Sequence, residues 1–297
     1  MSSVVPQRRV VVVNGIPMSA LIAAVADPRA VIVAIHGGAT TSAYFDCPGN
    51  PRLSLLRSAA SHGCTAIAVD RPGYGASALY QDDMASPDFR VALAFGVVDK
   101  LVEPDGRGSG MFLMGHSAGC ELALRMTVDD RAADVLGLEL AGTGLRYDSA
   151  AKAVIKEATL TSRPGLRELL WQPTELYPED VLTSGLSAPG VQYEAEVTTN
   201  WSRRDFPALA ARVRVPVEFS VADNERVWDT TPEALTVITE MFTASPRVVV
   251  NEVADSGHNL SVALSAQTYH ERVLSFVDGC IDESLVAGGS IETEAGP

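Results

Sequence analysis

The sequence predicts an α/β domain: a mostly parallel, eight-stranded sheet, doubly wound and flanked by helices. Three observations predict it. Eight short apolar runs punctuate the chain, at 10–13, 21–25, 30–35, 65–69, 111–114, 135–140, 217–221 and 248–253. They are continuous rather than alternating, which marks strands covered on both faces. Helix-compatible stretches lie between them, at 53–61, 89–102 and 120–128, and a chain that alternates strand with helix builds a parallel sheet with helices on both sides.

In chain order, the first two runs are joined across Asn14-Gly15, a tight-turn pair that reads as an antiparallel hairpin at the sheet edge. The third run, AVIVAI at 30–35, is rich in β-branched residues and closes on Gly37-Gly38. The fourth and fifth runs each follow a helical stretch. The rhythm then breaks. Residues 145–207 hold helix-like pieces interrupted at Pro164, Pro173, Pro178 and Pro189 and carry Trp171, Tyr177, Tyr193, Trp201 and Phe206. The segment is expected to be an insertion lying over the sheet as a helical lid, between core portions 1–144 and 208–282. Residues 283–297, rich in Gly, Ser and Glu, are expected to form a disordered tail.

Hydrophobic residues make up 46% of the 297 and charged residues 20%, enough for a sizeable core. Lys and Arg number 23 against 37 Asp and Glu, a formal charge of −14. That field repels phosphate backbones and anionic lipid, so neither nucleic acid nor a membrane is an expected partner; a small molecule is. An equally acidic carrier protein is disfavoured for the same reason. Cys47, Cys64, Cys120 and Cys280 stand far apart with no metal-ligand spacing, and read as reduced thiols filling apolar space. No targeting segment precedes the first run, and the longest apolar run is too short to span a bilayer. A cytoplasmic protein without metal or cofactor is expected, with a homo-oligomer left open.

Chemistry concentrates at Gly115-His116-Ser117-Ala118-Gly119. A buried run leads into this G-x-S-x-G pentapeptide and a helical stretch leads out. A strand that turns sharply into a helix throws its middle residue outward on a strained backbone. The flanking glycines are required because side chains there would strike the neighbouring strand and helix. Three further stretches complete a pattern: Ile35-His36-Gly37-Gly38-Ala39 after the third run, Asp70-Arg71-Pro72-Gly73-Tyr74-Gly75-Ala76-Ser77 after the fourth, and Asp255-Ser256-Gly257-His258 after the last.

With these four stretches in this order, the chain from about residue 10 to 280 resembles the α/β-hydrolase family, in its serine-nucleophile branch. The resemblance implies the α/β-hydrolase fold with Ser117 as nucleophile and His258 as its base. Of the other histidines, His36 is expected to brace the loop it precedes and His62 to end a helix; His116 is the variable elbow residue, and His270 serves packing or surface. The acid that orients the imidazole follows the seventh strand in this family, often as G-x-x-D. Here Ala222-Asp223-Asn224-Glu225 departs from that twice, leaving Glu225 and Asp223 as candidates. The oxyanion hole is expected from the amides of Ala118 and of Gly38, with Ala39 the alternative. The D-x-x-G-x-G-x-S stretch is implied to be structural.

The function implied is hydrolysis of an ester, lactone or thioester of a small apolar substrate through an acyl-enzyme. The same residues serve acyl transfer, cyclisation, C–C bond and cyanohydrin cleavage elsewhere in the family, and fold does not choose among them. A non-enzymatic binder is the third reading, against which stand Ser117 and His258 together. The aromatics of 145–207 suggest an apolar acyl wall; Arg163, Arg167, Arg203 and Arg204 read as a solvated face rather than an anion site.

Overall fold

In the computed structural model, residues 4–157 and 165–292 are described, with side chains through 286. Eight strands form one sheet in the order β1-β2-β4-β3-β5-β6-β7-β8. Strands β1 (Gln7–Val13) and β2 (Ile16–Ala23) make the edge hairpin, turning at Asn14 and Gly15 with φ of 50° and 81°. Positive φ at both positions is what a two-residue hairpin turn demands. The second strand thus begins at Ile16, ahead of the expected run at 21–25, because Ile16, Met18 and Ala20 fill its inward positions. β2 also pairs antiparallel with β4 (Thr65–Val69), and the remainder, β3 (Val31–Ile35), β5 (Met111–His116), β6 (Val135–Ala141), β7 (Val217–Ala222) and β8 (Val248–Val253), are parallel.

Strands β3 to β7 are buried along both faces. Alternate residues therefore enter different cores. Val31, Val33 and Ile35 enter the core shared with α2 (Pro87–Leu101), α3 (Gly119–Thr127) and α9 (Pro232–Met241). Ile32 and Ala34 enter the core shared with α1 (Leu55–Ser61) and α10 (Ala266–Glu292). The two edge strands are the exceptions: Val10 and Val12 of β1 are exposed and Val248 to Val250 of β8 only partly buried, because an edge strand has a neighbour on one side alone.

Local signals set the helix ends. Ser54 and Ser86 cap α1 and α2 through the amides of Arg57 and Phe89, relieving donors that a helix start leaves unpaired. His62 ends α1 as expected, followed by Gly63 at φ 82°.

Between β6 and β7 run α4 (Ser149–Glu157), α5 (Leu166–Trp171), α6 (Glu179–Thr183), α7 (Glu194–Asn200), a π turn at Trp201–Asp205 and α8 (Phe206–Ala210). β6 and β7 pair directly, Leu138 opposite Val217, so this segment is an excursion from adjacent strands. Arg163 and Pro164 lie outside the described residues. The expected disordered tail is corrected over its first part: α10 continues to Glu292, because extending an established helix escapes the cost of nucleating one. Residues 293–297 lie outside the described residues. No helix among the described residues is long and apolar enough to cross a membrane.

Candidate functional site

The strand-to-helix elbow has the strain its sequence implies. Ser117 sits at φ 51° between β5 and α3, its amide donating to the Ala141 carbonyl at 2.8 Å. A Cβ on Gly119 would lie 2.3 Å from the Ile35 carbonyl oxygen, and one on Gly115 2.8 Å from Cys120 Cα. No side chain fits either place, so both glycines are steric requirements of the turn.

Ser117 Oγ lies 3.1 Å from His258 Nε2, and His258 Nδ1 lies 3.0 and 3.1 Å from the two Glu225 carboxylate oxygens. A neutral imidazole protonated on Nδ1 satisfies both contacts: it donates to Glu225 and accepts from the serine hydroxyl. Three strand ends supply the chain: β5 gives Ser117, β7 leads to Glu225 and β8 leads to His258. His258 and the Glu225 side chain are 2% and 1% exposed, whereas Ser117 and Ala118 are reachable from solvent.

Of the two candidate acids, Glu225 meets the imidazole. Asp223 instead accepts from the amides of Asp255 and Ser256, both at 3.0 Å, and from Asn224 Nδ2 at 2.8 Å. Its carboxylate ties the β7 and β8 loops together, and these donors draw its pKa down despite some burial. Glu225 is fully buried, which by itself raises a carboxyl pKa. His258 and the Val227 amide, 2.7 Å from Oε1, outweigh burial and hold it below the usual carboxylate range.

Ahead of β5, the loop after β3 abuts the elbow: a Cβ on Gly37 would lie 3.1 Å from Ser117 Cβ. The Ala39 amide donates to the Tyr74 hydroxyl at 3.0 Å. The amides of Gly38 and Ala118 have no hydrogen-bond partner among the described residues. His36 braces this loop, Nδ1 donating to the Gly37 carbonyl at 2.8 Å and Nε2 accepting from the Arg71 amide at 3.0 Å. The D-x-x-G-x-G-x-S stretch is a scaffold: Asp70 accepts from the Ser42 amide at 2.7 Å and from the Ser19 hydroxyl, and Ser77 Oγ donates to the Tyr74 carbonyl.

Two groups of residues escaped the sequence reading. His116 is no bystander: its Nε2 donates to the His258 carbonyl at 2.9 Å while its ring stacks on Tyr44 at 4.6 Å. Burial first, and the proximity of His258 second, push its pKa down to about 3, so it stays a neutral donor. Arg71, Tyr74 and Glu194 form a buried cluster on the Gly37–Ala39 side. Arg71 and Tyr74 were visible in a motif, but nothing local marked Glu194, which reaches them from α7.

The aromatics expected as an acyl wall are largely committed to packing. Phe206 is fully buried against Trp201 and Phe219, and Tyr177 receives the Asn259 amide beside His258. Trp201 Nε1 donates to Thr143 Oγ1 at 2.9 Å. Arg167, Arg203 and Arg204 are exposed, with Arg204 paired to Asp205, as a solvated face requires. The four cysteines are buried and unbridged. No cluster of metal-ligating side chains occurs among the described residues.

Residues 32–272 match the model of the alpha/beta hydrolase family. Among solved structures, a thermostable carboxyl esterase from Bacillus coagulans aligns with TM-score 0.67 and 17% identity over 93% of this chain and 99% of its own. The thioesterase domain from the curacin biosynthetic pathway aligns with TM-score 0.60 and 18% identity, over 92% and 99%. E-2-(acetamidomethylene)succinate hydrolase gives 0.65 and 18%, over 92% and 100%. No curated protein sequence matches significantly.

Proposed function

The chain belongs to the alpha/beta hydrolase family and is an enzyme of the hydrolase type, and from that premise we propose that it cleaves a carboxylic ester, lactone or thioester of a small apolar substrate through an acyl-enzyme on Ser117. The observation that carries the reading is the continuous hydrogen-bonded chain from Ser117 Oγ through His258 to Glu225. A serine hydroxyl becomes a useful nucleophile only when a base takes its proton during attack. His258 Nε2 lies at the distance this needs.

Ser117 Oγ attacks the acyl carbon while its proton passes to His258 Nε2. Glu225, held ionised, stabilises the imidazolium and keeps its second N–H directed at a carboxylate. The negative charge on the former carbonyl oxygen is met by the amides of Gly38 and Ala118, which have no other partner among the described residues. Collapse expels the alkoxide or thiolate, which takes the proton from His258. Water, deprotonated by the same nitrogen, then clears the acyl group. Ester and thioester cleavage are named for two of the similar structures. Unbridged cysteines are consistent with the cytoplasmic setting included in this reading.

Replacement of Ser117 by Ala tests it. The variant is expected to keep its circular dichroism spectrum and lose hydrolysis of short p-nitrophenyl and thioester substrates. Undiminished turnover in that variant would exclude the acyl-enzyme. Covalent labelling of Ser117 by a fluorophosphonate without turnover of any ester or thioester would instead favour a non-hydrolytic reaction on the same residues.

A further inference from the structure

Beside the Ser117–His258–Glu225 chain lies a second buried polar group, centred on Glu194 at the start of α7. Its Oε1 accepts from Arg71 Nη2 and, at 2.7 Å, from the Tyr74 hydroxyl. Each of these donors also grips the loop after β3. Arg71 Nη2 donates to the Gly37 carbonyl at 2.9 Å, and the Tyr74 oxygen accepts from the Ala39 amide at 3.0 Å. The two grips fall on either side of Gly38. Glu194 itself closes the gap, since its Oε1 lies 3.4 Å from where a Cβ on Gly38 would sit.

Arg71 and Tyr74 are 1% and 2% exposed. A guanidinium at that depth needs a carboxylate partner, and losing the partner leaves a buried charge that must find water or another acceptor. Here that partner is Glu194. Without it, Arg71 keeps only uncharged acceptors, the Gly37 carbonyl and the Tyr193 hydroxyl, and the guanidinium is no longer fixed between loop and helix. The chain around Glu194 is fastened to the same loop by two more bonds, Ala188 amide to Ala39 carbonyl and Thr40 Oγ1 to Leu186 carbonyl, both 2.8 Å. Oxyanion donors act by being held in place before charge develops, and small displacements are costly in rate.

We propose that Glu194 is a positioning residue for the oxyanion loop, clamping Arg71 and Tyr74 so that, within this loop, Gly38 rather than Ala39 presents its amide to the acyl oxygen. The segment between β6 and β7 is then a working part of the catalytic machinery, and Tyr74 is what removes Ala39 from competition. The proposal rests on the acyl-enzyme reading above.

The test compares Glu194→Gln, which keeps an acceptor for Tyr74 but removes the charge facing Arg71, with Tyr74→Phe, which keeps the ion pair and frees the Ala39 amide. For p-nitrophenyl ester hydrolysis, kcat is expected to fall about 10- to 100-fold in each, with KM within about threefold. Affinity for a trifluoromethyl ketone, whose adduct with Ser117 carries an oxyanion, is expected to weaken in parallel. The double variant is expected to lose no more than the worse single one, since both act on one loop. Wild-type kcat in both single variants, with Ser117→Ala inactive, overturns the proposal while leaving the acyl-enzyme intact. A raised KM at unchanged kcat overturns it also, by making Glu194 a substrate contact. If Glu194→Gln fails to fold, Glu194→Asp, which keeps the charge but shortens its reach to Arg71 and Tyr74, takes its place with the same expected fall in kcat. Turnover by Ser117→Ala defeats the acyl-enzyme reading itself, and this proposal with it.

Discussion

Two buried glutamates, one inside β7 and one just past its carboxyl end, have their pKa values shifted in opposite directions. Glu225, just past the carboxyl end of the strand, faces His258 and the Val227 amide and is held below the usual carboxylate range. Glu218, inside the strand, sits in register with Glu139 of β6, itself bonded to the Tyr269 hydroxyl at 2.9 Å. Burial pushes the Glu218 pKa up to about 7, against the pull of Arg272 and Arg247. Glu139 is raised well above the ordinary value by burial and then by Glu218. Depth is common to all three. Donors are what differ, and the sheet supplies them at its carboxyl edge, where strands end and loop amides are free, rather than between strands whose backbone groups are already paired.

The largest effect expected from this contrast is at Glu225. Glu225→Gln keeps the shape but can donate toward Nδ1, favouring the wrong tautomer, so kcat is expected to fall about a thousandfold or more with KM little changed. Steady-state kinetics on a p-nitrophenyl ester checks it. Asp223→Asn, two residues away, is expected to cost no more than about threefold, because Asp223 ties loops and does not face the imidazole. Equal losses at both positions would erase the distinction between them.

A smaller effect is expected at His116. Phe at this position keeps a ring against Tyr44 but leaves the His258 carbonyl without its donor. Stability is expected to fall by about 1–3 kcal/mol, the cost of an unmet buried acceptor, in urea denaturation. A kcat loss of about tenfold should accompany it, as His258 loses its support.

The mildest expectation concerns Glu218 and pH. A carboxyl with a raised folded pKa holds a proton that the unfolded chain releases above about pH 4.5. Its stabilising contribution is therefore complete below that pH and is lost as pH rises through about 7. Thermal unfolding midpoints are expected to decline between pH 5 and 8, and Glu218→Gln to flatten that decline. An unchanged slope in the variant would mean Glu218 is ionised in the fold.

The same division between local and distant partners decides what could be read from the sequence. Ser117 was legible because its constraints are adjacent: the glycines at 115 and 119 are demanded by the backbone of the turn itself. His258 was legible as the one histidine in a loop after the last strand. The core strands were legible because burial on both faces writes continuous apolar runs, and β1 and β8 misled where an edge position relaxes that burial. The acid stayed open because spacing cannot tell which of two neighbouring carboxylates the β8 loop amides will take. Gly38 against Ala39 stayed open because Tyr74, the partner of the Ala39 amide, is distant in sequence. Glu194 left no local trace, since its role exists only once α7 folds against the β3 loop. The tail was misread from composition, which understates how far α10 carries.

The most direct test of the relay is the site and His258-dependence of covalent capture. Treatment with a fluorophosphonate, followed by peptide mass spectrometry, is expected to place a single stoichiometric adduct on Ser117, and to find it slowed at least a hundredfold in His258→Ala. An adduct on another residue, or one formed at Ser117 just as fast without the imidazole, would contradict the account.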